Sequence, residues 1–177
     1  MKRILLLCAL FVLVVSVSMG QIAYKQGDMV VSGMLGLGGV AGVYGESGMP
    51  PISASVDYGF NENISIGGLA GITTSEESYL IGGKWKYTYI IIGARGAYHY
   101  DFLHKDNIDT YGGIMIGYNI VSSSWEGTGS GLYGASGSYL LYGGFIGGRY
   151  YFMPNLAAQV ELGYGMGYIT IGVAYKL

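Results

Sequence analysis

Residues 168–177 read YITIGVAYKL, and their alternation decides the fold. Ile169, Ile171, Val173, Tyr175 and Leu177 are apolar, while Thr170, Gly172, Ala174 and Lys176 between them are small or polar. A period of two is the signature of a strand with two different faces. Chain ends commonly fray, so a strand kept two-faced to its last residue needs a neighbour to pair with and an apolar medium to face.

The same alternation recurs upstream, bounded by turn residues. In 52–60 it sets Ile52, Ala54, Val56, Tyr58 and Phe60 against Ser53, Ser55, Asp57 and Gly59; in 63–72 it sets Ile64, Ile66, Ala70 and Ile72 against Asn63, Ser65, Gly67 and Gly71. In 109–120, Ile114, Ile116, Tyr118 and Ile120 oppose Asp109, Met115, Gly117 and Asn119. In 155–164, Leu156, Ala158, Val160, Leu162 and Tyr164 oppose Gln159, Glu161 and Gly163. Eight strands are expected, near 26–45, 51–60, 63–74, 85–101, 108–122, 137–152, 155–164 and 168–177.

The composition says what the apolar faces meet. Only 11% of the 177 residues are charged, against roughly 25% in an ordinary soluble domain. Twenty charged side chains are too few to coat a water-facing surface of this size, and glycine (33) and tyrosine (18) stand in their place. A net charge of −2 gives no basic field for nucleic acid.

The N-terminus reads as a secretory signal over 1–20, leaving 21–177 as the mature domain. Lys2 and Arg3 precede the apolar run ILLLCALFVLVV, and Ser16, Ser18 and Gly20 supply small residues for cleavage. The competing reading is a retained membrane helix, for which the run is short. Cys8, the only cysteine, leaves with the signal, so the mature chain has no thiol for a disulfide, a nucleophile or a metal. Past Gly20 no apolar run is long enough for a membrane helix, so a mature chain that spans a membrane does so with strands.

The connections are asymmetric. YGFNENI (58–64), YHYDFLHKDNI (98–108) and YYFMPNL (150–156) are aromatic, then briefly polar, then aliphatic, and all follow even-numbered strands. At the other end, loops are expected near 74–84 and 122–137, with two shorter connections at 45–51 and 163–167. Short turns at one end and longer loops at the other are typical of transmembrane barrels, with the short turns on the periplasmic side. The expected fold is an all-β, eight-stranded antiparallel up-and-down transmembrane barrel whose last strand closes on its first.

At this point the chain resembles the small eight-stranded outer-membrane barrels, the OmpX, OmpW and OmpA-barrel group, and most of all the Gly/Tyr-rich outer membrane protein β-barrel domain family. The segments that carry the likeness are LYGGFIGGRYYFMPNLAAQVELGYG (141–165) and GYITIGVAYKL (167–177). The resemblance implies an outer-membrane location, contact with outer-membrane lipid and insertion by the barrel-assembly machinery. Family members commonly end on an aromatic residue that this machinery reads; here Tyr175 keeps the spacing and Leu177 replaces the final aromatic.

Four charges, Asp57, Arg95, Arg149 and Glu161, fall on the face opposite the aliphatic stripe. A charge facing lipid at mid-depth costs about 2–4 kcal/mol for Arg or Lys, so all four are expected inside, at similar depth, as a structural plug or a constriction. Tyr87, Tyr89, Tyr111, Tyr139, Phe145 and Tyr151 share that parity and add filling. Tyr58, Phe60, Tyr98, Tyr100, Tyr150 and Phe152 face outward beside the short turns, as a periplasmic aromatic girdle. Trp85 and Trp125 fall near the opposite rim. Ile169, Ile171, Val173, Tyr175 and Leu177 form the lipid face of the last strand.

Little points to catalysis or a cofactor. His99 and His104 lie at the short-turn end, away from the serines of TTSEES and SSSWEG, and a Ser-His-acid site needs all three in one hydrogen-bonded row. Two histidines beside Asp101 near a turn are expected to face solvent. GSGLYG (129–134) matches a dinucleotide-binding glycine pattern but lacks the following helix that pattern requires. No metal, cofactor or catalytic residue is assigned. The function expected is a non-catalytic barrel with a structural role or a surface-interaction role through loops that engage an extracellular ligand. The alternatives are a narrow passive channel for small or apolar solutes and, more remotely, a lipid-modifying barrel enzyme. A soluble calycin-like barrel, with the aliphatic stripe turned inward, is the structural competitor.

Overall fold

The computed structural model describes residues 23–38, 48–79, 83–127 and 136–177. The expected signal segment, 1–20, lies outside them, as do the end of the first expected strand and the tips of the expected loops.

Eight strands follow in order: β1 (Met29–Leu37), β2 (Ile52–Gly59), β3 (Ile64–Tyr79), β4 (Gly83–His99), β5 (Ile108–Gly127), β6 (Ser136–Tyr151), β7 (Leu156–Gly163) and β8 (Ile169–Lys176). Each pairs antiparallel with its sequence neighbours, and β8 pairs with β1 to close the barrel. The closing register runs from Val30 opposite Lys176 to Leu37 opposite Ile169. Beyond it, the Leu177 amide donates to Met29 O at 2.8 Å and the Lys176 amide to Asn155 O at 2.7 Å. The last strand is therefore held on both edges to its final residue.

The period-two sequence sorts side chains as the pleat requires. The aliphatic stripe faces out: Ile114 is 73% exposed and Ile116 54%, while their neighbour Met115 is buried. The polar set faces in, with Ser32, Ser53, Ser55, Asp57, Arg95, Asn119 and Arg149 all buried. This is the reverse of a soluble barrel, in which the aliphatic stripe would form the core.

Two strand classes stand out. β1, β2, β7 and β8 have 8 or 9 residues, about the length that crosses a bilayer at a tilt. β3, β4, β5 and β6 have 16, 17, 20 and 16 and run on together past the end opposite the short turns. The expected loops at 74–84 and 122–137 are thus mostly strand: β3 continues to Tyr79, β4 starts at Gly83, β5 reaches Gly127 and β6 begins at Ser136. The register stays unbroken here, with Thr74 opposite Thr88, Glu76 opposite Lys86 and Trp85 opposite Trp125. Both faces of this extension are polar or aromatic, so the hydropathy alternation vanishes while the ladder persists.

Side chains fill the interior in layers. Toward the long-hairpin end lie Met34, Leu69, Ile91, Met115, Leu141, Phe145 and Met166. At the short-turn end Ala23, Val30, Tyr151, Ala157 and Ala174 form a second apolar layer. The charged residues lie between.

Candidate functional site: the charged lumen

Asp57 (β2), Arg95 (β4), Arg149 (β6) and Glu161 (β7) meet inside the barrel. Arg149 Nη2 donates to Asp57 Oδ2 at 2.7 Å and Arg95 Nη2 to Glu161 Oε1 at 2.7 Å. Arg95 Nε lies 3.1 Å from Asp57 Oδ1, an ion contact without hydrogen-bond alignment. One carboxylate thus bridges both guanidinium groups.

Glycines make this reach possible. On β3, Gly67 faces Asp57 on one side and Arg95 on the other. A Cβ on Gly67 would sit 2.6 Å from Asp57 Oδ1 and 2.1 Å from Val56 O, so only its absence lets the two charges touch across the intervening strand. Gly147 does the same on β6, where a Cβ would come within 2.8 Å of the Tyr111 ring and 2.9 Å of Glu161 Cγ.

The network extends beyond the four residues expected. Arg149 also donates from Nε to Gln159 Oε1 at 3.0 Å and from Nη1 to Asp109 Oδ2 at 3.4 Å. Glu161 Oε1 further accepts the Tyr111 hydroxyl at 2.8 Å and the Gln159 amide at 3.0 Å. Ser32 Oγ donates to Gln159 Oε1 at 2.8 Å. Both guanidinium groups stand over aromatic rings, Arg95 4.2 Å from the Phe145 centroid and Arg149 4.7 Å from that of Tyr111, contacts that strengthen when desolvated. With water excluded, each ion needs such partners to offset its lost hydration.

His99 is a correction to the sequence reading. It is buried, not solvent-facing, because its position on β4 has inward parity. Its Nδ1 lies 2.7 Å from Asp109 Oδ1 and its Nε2 2.9 Å from Ser65 Oγ. That is the Ser-His-acid connectivity that the rim serines lack, formed at the opposite end. It is sealed. Ser65 is 3% exposed, and the Tyr24 ring lies flat on the imidazole at 3.6 Å and 3°. A cleft of about 320 Å³ at the short-turn mouth reaches His99 and Asp109 but is not lined by Ser65. His104 behaves as expected of a turn residue, exposed with a φ of 51°. Among the described residues no group of three or more His, Cys, Asp or Glu is placed to hold a metal.

Tyr24 belongs to a strap that crosses this mouth ahead of β1. Its hydroxyl donates to Asn61 O at 2.9 Å, and the Gly27 amide donates to Gly59 O at 2.9 Å. Burial first, then the negative charges of Asp109 and Asp28, push the Tyr24 phenol up to about 12, so it stays a donor across the physiological range. Sequence gave no sign of this strap, because one tyrosine ahead of a strand carries no period.

The remaining expected residues fall as follows. Tyr58, Phe60, Tyr98 and Tyr100 are exposed on the outer wall at the short-turn end, with Tyr150 and Phe152 half-buried on the same rim. Ile169, Ile171, Val173, Tyr175 and Leu177 are all exposed on the outside of β8. Trp85 and Trp125 pair edge-to-face across β4 and β5 at 5.5 Å, and Tyr87 and Tyr89 continue that row. Of the other inward aromatics, Tyr89, Tyr111, Phe145 and Tyr151 are buried; Tyr139 is exposed near the long-hairpin end, where its hydroxyl accepts from Asn119 Nδ2 at 2.7 Å.

Solved structures share this architecture. The attachment invasion locus protein Ail of Yersinia pestis, solved with the heparin analogue sucrose octasulfate, superposes with a TM-score of 0.56 at 14% identity, covering 86% of this chain and 99% of its own. Neisserial surface protein A gives 0.55 at 15% identity, over 85% of this chain and 95% of its own. The Pseudomonas aeruginosa outer membrane protein OprG gives 0.52 at 12%, over 89% and 99%. The fold is that of the small eight-stranded outer-membrane barrels. No family model and no curated protein sequence matches the chain.

Proposed function

We propose that this protein is a non-catalytic, plugged outer-membrane barrel whose role is structural or is exerted through the projecting β3–β6 sheet at the cell surface. The single observation that carries the reading is the lumen. Between the apolar layers the interior is spanned by the Asp57–Arg95–Arg149–Glu161 network, in which Arg149 is only 1% exposed. An eight-stranded barrel is just wide enough for its own side chains to fill, and here they do. A passive channel would need a path past these groups.

The outward aliphatic band and the aromatic residues beside the short turns support contact with outer-membrane lipid, with those turns on the periplasmic side. On that reading residues 1–20 are a signal peptide, the barrel-assembly machinery inserts the mature chain, and the long hairpins lie outside. They suit an extracellular ligand better than lipid, since Glu76 and Lys84, paired at 3.0 Å, sit where the apolar stripe has ended. The sucrose octasulfate of the Yersinia pestis protein is a polyanion, whereas here Lys84 is paired with Glu76 and Lys86 stands opposite the same residue, so the half-buried rings of Trp85, Tyr87 and Trp125 are more suited to recognition.

Planar-bilayer conductance of the refolded mature chain tests the plug. Wild-type protein, shown folded by its heat-modifiable migration, is expected to give no discrete steps, and so is Arg95→Ala, because Arg149 and the apolar layers remain. Steps in the wild type that change size in the variant would replace this reading with the channel.

The buried Ser65–His99–Asp109 row makes a second prediction. A fluorophosphonate probe is expected to leave Ser65 unlabelled in the folded barrel, since the serine has no open approach. Stoichiometric labelling lost in Ser65→Ala would overturn the non-catalytic assignment.

A further inference from the structure

The four long strands carry a face that the barrel itself does not use. At the long-hairpin end β1, β2, β7 and β8 stop at Leu37, Ile52, Gly163 and Ile169. The ladder of β3–β6 runs on, with Glu77 opposite Trp85 and Trp85 opposite Trp125. Among the described residues no strand stands across the axis from this extension.

Its inward face is patterned. Trp85, Tyr87 and Tyr89 follow one another along β4 at centroid spacings of 6.4 and 6.5 Å, with 30° and 28° between neighbouring planes. On β3 the register sets an oxygen-bearing side chain beside each ring: Glu77 beside Trp85, Ser75 beside Tyr87 and Thr73 beside Tyr89. From β5, Ser123 flanks Tyr87, and Trp125 meets Trp85 edge-to-face at 5.5 Å. Gly83 seats Trp125, since a Cβ there would come within 2.0 Å of its ring. Trp85, Tyr87 and Trp125 are half-buried, and buried Tyr89 closes the foot of the row. One step lower, the Tyr139 hydroxyl accepts from Asn119 Nδ2 at 2.7 Å, which leaves its own proton to donate. Asn119 Oδ1 is buried with no hydrogen-bond partner among the described residues, an acceptor still to be satisfied.

A partner for this face has to meet rings and oxygens in alternation. An apolar solute would cover the rings but leave the hydroxyls unpaired, and a site built on hydrogen bonds rejects such a ligand. A polyanion would find no cation here. Lys84 and Lys86 have outward parity, and Glu77 is the one charged residue of inward parity in the described extension. A pyranose chain offers both chemistries: C–H faces that lie on aromatic rings, and edge hydroxyls that pair with hydroxyl and carboxylate oxygens. We propose that the inner face of the β3–β6 extension binds a neutral oligosaccharide from outside the cell, stacked on Trp85, Tyr87 and Trp125. Ser75, Glu77 and Ser123 take its hydroxyls. The row is longer than one ring, so a chain binds better than its monomer. This deepens the surface role proposed above and rests on it.

Trp85 and Trp125 are the only tryptophans in the chain, so intrinsic emission reports this face alone. The refolded mature barrel, in a detergent without a sugar headgroup, is titrated with maltohexaose, cellohexaose, glucose and a heparin hexasaccharide. A saturable emission change is expected with a neutral hexasaccharide, and a weaker one or none with glucose and the heparin fragment. Tyr87→Ala keeps both reporters and should weaken binding by about tenfold or more, as for a central aromatic contact. The inference fails if neither neutral hexasaccharide gives a saturable change, or if the heparin fragment binds as tightly. It fails equally if Tyr87→Ala, with heat-modifiable migration intact, binds like the wild type. Should Tyr87→Ala not fold, Glu77→Ala, at an exposed position of β3, decides on the same criterion. Failure here leaves the plugged lumen standing, because conductance tests that separately.

Discussion

Replacing Arg149 by methionine is expected to destabilise the barrel by about 3–5 kcal/mol, the cost of breaking a buried ion pair from one side. The side chain is 1% exposed and donates to Asp57, Asp109 and Gln159 at 2.7, 3.4 and 3.0 Å. Methionine fills similar volume, so the loss is electrostatic: two carboxylates stay buried with fewer donors. The measurement is the urea midpoint of the refolded protein in micelles. The compensating experiment is sharper. Arg149→Met combined with Asp57→Asn removes one charge of each sign and should recover a substantial part of the loss, as expected for residues in one network. A single variant that loses under about 1 kcal/mol would place Arg149 in water, since exposed pairs contribute no more than that.

Much of this network was legible in the sequence, and the reason is the pleat. Because strand side chains alternate strictly, parity alone put Asp57, Arg95, Arg149 and Glu161 on one face, and counting from the short turns put them at one depth. Parity does not say which charge meets which. Asp57 and Arg149 are 92 residues apart, and their contact depends on closure and on the empty positions at Gly67 and Gly147. Those glycines were visible as inward residues, but their role emerges only when the register sets Gly67 between Asp57 and Arg95. His99 shows the opposite failure. Its inward parity follows from Arg95 and Ala97, which are buried with it, whereas closeness to a turn points to solvent.

The projecting hairpins were missed for a different physical reason. Hydropathy alternation marks a strand only where its faces meet different media. Within the apolar band one face meets lipid and the other a packed lumen; beyond it the faces differ less, and Glu76, Lys84 and Lys86 remove the contrast. Cross-strand pairing does not need that contrast. Thr74 with Thr88, Glu76 with Lys86 and Trp85 with Trp125 are the kinds of facing pair that stabilise a ladder. Charge and aromatic complementarity between 73–79 and 83–89 is therefore the signal of pairing here, and polarity alone, which points to a loop, does not carry it.

The outer wall carries the second large effect, and its size tells what medium surrounds the barrel. Ile116 points outward from β5, opposite Ala94 on β4 and Tyr142 on β6, well away from the turns. If lipid surrounds it, Ile116→Arg should destabilise the refolded barrel in bilayers by about 2–4 kcal/mol, and the same change at Phe60, beside a short turn, by about 0–1 kcal/mol. If water surrounds it, Ile116 is simply a 54% exposed surface residue, and the change should stay within about 0.5 kcal/mol at both positions. The gradient between the two sites therefore matters more than either value. A depth-dependent cost of that size cannot come from lost packing, since neither side chain is buried by the protein. Unfolding in liposomes, compared across Ile116→Arg and Phe60→Arg, reads that gradient directly, and a flat result would remove the lipid from around these strands and the outer-membrane reading with it.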